Sequence, residues 1–172
     1  VDVQLKRTLS PAHWNSFCVP FAISEDVIDE KFGAGTQICT FGSMNGNVMN
    51  FDHSTTIEAG KPYIVKPTKE VVDPSFTSVN IEATAAKKVG ADGYFMQGIY
   101  SVKTDLTTDG TNLFLGDGNK FYKPLGTTTA KMKGMRAYFI VPQGTNFAAL
   151  RANIDGATTA IDEFATVVEQ PT

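Results

Sequence analysis

Lys61-Pro62-Tyr63-Ile64-Val65-Lys66-Pro67 and Arg136-Ala137-Tyr138-Phe139-Ile140-Val141-Pro142 share one plan. A basic residue and a small one precede a tyrosine, two large apolar residues follow, one position varies, and a proline closes the run. The tyrosines stand 75 residues apart. Aromatic and β-branched side chains in short runs that end at proline are the mark of strands. The two stretches are therefore expected to be matching strands in two similar halves of one β-rich domain.

Working outward, the residues ahead of the tyrosines also match in order. Phe41-Gly42 answers Leu115-Gly116, and Gly46-Asn47 answers Gly118-Asn119, each an apolar strand end followed by a turn whose residues tolerate positive φ. Ala59-Gly60-Lys61 answers Gly134-Met135-Arg136 with one residue inserted, and Phe17 to Ile23 answers Phe95 to Val102 through Phe17/Phe95 and Pro20/Gly98. The plain alternative is that glycine-asparagine turns and aromatic strands recur in any β protein. A unit of this size with one apolar face needs a cover, and a second copy can supply it. Two like sheets face to face make a sandwich. The expected architecture is all-β, sandwich-like of jelly-roll type, one domain over 1–172 with halves at about 8–70 and 85–142 and closing strands between 146 and 165.

Other segments fill in this outline. Val3, Leu5 and Leu9 alternate with polar residues, as in a half-buried strand. Trp14 to Phe21 reads as a second strand with Pro20 at an edge or bulge. Ser24-Glu25-Asp26 opens, and Gly33 closes, one short helix near 25–32, with serine as cap and acids in the first turn. Val79 to Ala83 alternates like a strand. Ala148 to Ile154 is read as a strand, Asp155-Gly156 as its closing turn, and Val167 to Thr172 as a fraying tail or linker.

The totals bound the function classes. The chain has 172 residues, 42% hydrophobic and 19% charged, with 12 phenylalanines, which suits a folded core that needs no metal or multiple disulfides. A net charge of −3 leaves no basic footprint for nucleic acid. No apolar run reaches the roughly 18 residues of a membrane-spanning helix. Val1 in first place suggests a mature or trimmed piece of a longer protein. Cys18 and Cys39 make neither a zinc spacing nor a CxxC pair. They are expected to be small core hydrophobes, with one disulfide as the alternative.

Trp14-Asn15-Ser16-Phe17-Cys18-Val19-Pro20-Phe21, Ala59-Gly60-Lys61-Pro62-Tyr63-Ile64-Val65-Lys66 and Met135-Arg136-Ala137-Tyr138-Phe139 occur in this order. The chain thereby resembles a β-rich module of secreted and surface-anchored Bacteroidetes proteins that carries WNTLCLPF, AGTPYLIK and FRAYF blocks. The resemblance runs over about residues 8–164. The module's closing G-T-G-I segment is similar to Gly156-Ala157-Thr158-Thr159-Ala160-Ile161, with Ala160 in place of a glycine. What the resemblance implies is an exported, extracellular or cell-surface setting within a larger protein, often an adhesive or lectin-like one. It brings no activity and no binding residue.

Candidate chemistry is thin. His13 and His53 lie in no hydrolase motif, and Asp52-His53-Ser54 are sequence neighbours, whereas a triad must converge in space. Asp105, Asp109 and Asp117 lack the spacing of a calcium loop, and aspartate before glycine is ordinary turn chemistry. No catalytic residue, metal ligand or cofactor is expected. Lys61 and Arg136 read as strand-edge charges that discourage edge pairing. Sugar faces stack on aromatic rings, so Trp14, Tyr94, Tyr100 and Tyr122 are the candidate binding residues, set against a simple core role for the lone tryptophan. The expected function is a non-enzymatic binding or adhesion module for glycan, host or matrix protein. The alternative is a structural spacer that displays other domains of its parent, and an unrecognised hydrolase comes third.

Overall fold

A computed structural model describes residues 1–102, 106–116, 120–124, 132–154 and 167–169, and it is mostly β with one short helix among these residues. The strands of the first part are β1 (Val3–Gln4), β2 (Thr8–Leu9), β3 (Asn15–Phe17), β4 (Gln37–Asn45), β5 (Val48–His53), β6 (Tyr63–Lys66), β7 (Val71–Val72) and β8 (Ser75–Phe76), with α1 (Glu25–Phe32) between β3 and β4. The second part holds β9 (Lys88–Ala91), β10 (Tyr94–Ile99), β11 (Asn112–Gly116), β12 (Lys120–Lys123), β13 (Arg136–Ile140), β14 (Arg151–Ile154) and β15 (Val167–Glu169).

Two larger sheets form, ordered β14-β5-β4-β6-β3 and β15-β12-β11-β13-β10-β9. Apart from β9, the two orders correspond strand for strand. The tyrosine strands β6 and β13 occupy the same interior place, each with antiparallel partners on both sides. The outermost strands β14 and β15 both pair in parallel, on β5 and β12. Cross-strand neighbours correspond too: Cys39 faces Ile64 as Leu113 faces Phe139, and Phe41 faces Phe51 as Leu115 faces Phe121. At the start of the halves, register departs from sequence order. Phe17 lies opposite Tyr63 and Gln97 opposite Tyr138, so Phe17 corresponds to Gln97 rather than Phe95, and Cys18 to Gly98.

The two sheets share one core. Cys39, Phe41, Met49, Phe51 and Ile64 from the first meet Met96, Leu113, Phe121, Ala137 and Phe139 from the second. A ring contact bridges them, Phe139 standing 6.1 Å edge to face from Phe51, while within the second sheet Phe139 meets Phe121 edge to face at 5.0 Å. Because side chains alternate along a strand, Tyr63 and Val65 point the other way. There they join Phe17, Ile38, Phe32 and Phe76 in a second core covered by α1 and the β1/β8 ribbon. Burial on both faces explains why Tyr63-Ile64-Val65 is an unbroken apolar run. The second sheet turns Tyr138 outward onto Leu106 and Met132.

Local chemistry sets the remaining elements. Ser24 caps α1, its hydroxyl accepting from the Val27 N–H at 3.4 Å, and Gly33 at φ 102° ends it. Val3 to Leu9 runs as one ribbon against 71–76, divided into β1 and β2 where Asp73 takes φ 43° and Pro74 offers no N–H. Residues 79–83 form no strand, in contrast to their alternation. Their amides reach single distant carbonyls, Val79 to Val1 and Glu82 to Pro20, each at 2.8 Å. The expected tail is also corrected, since Val167–Glu169 is a strand of the second sheet. The reading of Lys61 and Arg136 as edge charges fails because β6 and β13 are interior strands. The Asp155-Gly156 turn and residues 155–165 of the expected closing strands lie outside the described residues, as do Asp105, Asp117 and the Gly118-Asn119 turn.

Candidate cationic cleft

Arg7 sits in the Val3-Leu5-Arg7-Leu9 series at a position whose parity calls for an apolar side chain, and it is 9% exposed. One guanidinium nitrogen, Nη1, donates to the Ser16 carbonyl at 2.9 Å and the Met135 carbonyl at 2.8 Å. The side chain therefore joins the edge of the first sheet to the entry of β13. Its Nε is buried without a partner. Arg136, half-buried, donates through its own Nη1 to the Gly134 carbonyl at 2.9 Å. Two guanidinium groups thus anchor on neighbouring carbonyls, with Met135 between them in the left-handed region at φ 55°. Such a conformation costs a non-glycine residue about 1–3 kcal/mol, and strain of this kind gathers at functional sites.

These arginines line a cleft of about 320 Å³ between the 7–16 segment and the second sheet. His13 and Trp14 contribute to one wall, and Phe114, Gly116 and Lys133 to the other. No carboxylate among the described residues pairs with Arg7, Arg136 or Lys133, whereas Lys31 pairs with Glu30 and Lys61 with Glu58. Burial, helped by the nearby Arg136 charge, pushes the Arg7 guanidinium down to about 9, and burial also lowers Arg136. Both are charged at neutral pH. Asn15 offers little here, because its amide nitrogen is occupied by the Ser10, His13 and Val65 carbonyls, each at 3.0 Å.

The four candidate aromatics do not form one platform. Trp14 is 2% exposed and belongs to the shared core, so it presents no open ring face, although it contributes to the cleft wall. Tyr122 stacks on Phe114 with ring centroids 5.6 Å apart at 16°, so it borders the cleft from behind that wall. Tyr94 packs half-buried against the shared core, and Tyr100 donates to the Thr84 carbonyl at 3.2 Å. These two stand at opposite ends of β10, about 20 Å apart at strand rise. None of the large exposed apolar side chains among the described residues is aromatic; they are Val1, Val72, Ile81 and Val102.

The remaining candidates are structural. Cys18 and Cys39 are buried and in no disulfide, with the Cys18 thiol donating to the Gly60 carbonyl at 3.4 Å. Asp109 accepts from the Thr111 N–H at 3.0 Å, as in an ordinary turn. His13 lines the cleft whereas His53 ends β5 opposite Cys39. The arginines escaped the sequence reading, although the cue was present: a cation on the apolar phase of an alternating strand. Comparison with known protein families, with curated proteins and with solved structures finds no match.

Proposed function

We propose that the chain is a non-enzymatic binding module of an exported, cell-surface protein. In this reading it is a β-sandwich of two like halves, and its ligand, a glycan or a host or matrix protein, enters the cationic cleft. The observation that carries it is the meeting of Arg7 and Arg136 on the Gly134 and Met135 carbonyls, with no carboxylate of the described residues to neutralise them. Burying an unpaired charge is expensive. Such a site is retained more readily when a partner arrives to neutralise it. The shared strand order of the two sheets supports the two-half description, and the block resemblance supports the surface setting.

A second reading, the spacer or display domain, is favoured by the absence of exposed aromatics among the described large apolar residues. The two separate on a glycan array and a panel of matrix proteins, probed with the wild type and with Arg136→Gln. Saturable binding lost in a variant of unchanged circular dichroism establishes the module and its site. Silence across both panels at high protein concentration leaves the spacer.

A further inference from the structure

Resting on that binding reading, we infer that the cleft takes the carboxylate of an acidic sugar, with Arg7 and Arg136 on the anion and the Phe114–Tyr122 ring pair beside the sugar face. Guanidinium groups present planar, forked donors that match a carboxylate in two-point contact. Here the forks are already oriented. Arg7 is fixed by two carbonyls and Arg136 by one, so little side-chain freedom remains to be lost when an anion binds. Nη1 of Arg7 serves two carbonyls, its Nε is buried without a partner, and the residue lines the cleft. Lys133 adds a third positive charge to the same cleft.

The aromatic wall points to a sugar rather than a small inorganic anion. Phe114 lines the cleft half-buried, and Tyr122 lies nearly parallel to it. Gly116 makes this stacking possible, because a Cβ there would fall 2.6 Å from two carbons of the Tyr122 ring. A flat ring surface next to paired arginines suits a pyranose that carries a carboxylate. A neutral sugar would leave both guanidinium groups without a counter-charge.

Isothermal titration with oligogalacturonate, its fully methyl-esterified counterpart, a sulfated oligosaccharide free of carboxylates, and an acidic peptide tests this. The expected result is saturable binding of oligogalacturonate at least tenfold tighter than of the ester, weakening as salt is raised. Arg136→Gln is expected to abolish that preference and Arg136→Lys to restore part of it. The acid-against-ester comparison and the salt series use the wild type, so they stand even if a variant fails to fold. Equal binding of acid and ester overturns the carboxylate assignment while the binding module survives. Preference for the sulfated sugar or the acidic peptide overturns it too. Loss of every interaction, including those on the wider array, removes the module reading itself.

Discussion

Gly98 lies directly against Cys18: a Cβ on Gly98 would stand 2.4 Å from the Cys18 sulfur and 3.2 Å from its Cβ. The two residues hold corresponding places in β10 and just beyond β3, so the strands approach each other where one side chain is missing. Gly98→Ala is expected to destabilise the protein by about 1–3 kcal/mol through overpacking. Cys18→Ala should recover part of that loss in the double variant. A double-mutant cycle by urea denaturation measures it, and strictly additive effects would show that the two side chains do not compete for one space.

Trp14→Ala is expected to cost about 3–5 kcal/mol, the range for truncating a large buried aromatic. Its effect on any ligand would then be inseparable from its effect on folding. A denaturation midpoint close to that of the wild type would return Trp14 to the candidate binding surface.

Stability should fall as pH rises from about 10 toward 12. Burial pushes the Cys18 thiol and the Tyr63 phenol each up to about 12, from ordinary values of 9.0 and 10.0. In that window the unfolded chain has lost protons that the native state keeps, so the free energy of unfolding declines with pH. Arg7, held down to about 9 by burial and by Arg136, acts in the opposite direction, because the unfolded arginine keeps its proton throughout this range. Cys18 and Arg7 offset one another as the pH passes about 9, and the Tyr63 phenol tips the balance to a decline above about 10. Tyr100, raised by burial, adds to it and Arg136, lowered by burial, opposes it. Cys18→Ala should flatten it, as read from urea midpoints between pH 8 and 11; an unchanged slope would show that Cys18 does not contribute.

Ser24→Ala should destabilise by about 1 kcal/mol, since the Val27 N–H loses its hydroxyl acceptor at the start of α1. The expected readout is a lower thermal midpoint with unchanged binding. Ser24→Asp should keep the midpoint near that of the wild type.

What could be read from residues alone was what local chemistry decides. Ser24 and Gly33 delimited the helix, Gly46 marked the β4–β5 turn, and the tyrosine runs announced strands. Alternation misled at 79–83, because polar-apolar order cannot tell a strand with neighbours from an extended segment whose amides find single distant carbonyls. It also could not show β15, whose pairing partner β12 lies more than 40 residues earlier in the chain. The cleft was hidden for a related reason. Arg7 and Arg136 are brought together by sheet packing, and the one local cue was the wrong polarity at Arg7.

The parallel pairing of β14 with β5 has a consequence for biosynthesis. Strands β3 to β6 leave the ribosome well ahead of β14, so the outer edge of β5 stays unpaired until Arg151–Ile154 has been made. Throughout that interval the nascent chain presents a free strand edge bearing Met49 and Phe51, a template for pairing with other chains. Final closure therefore belongs to Arg151–Ile154: the sheet translated first must wait for the chain to return to it.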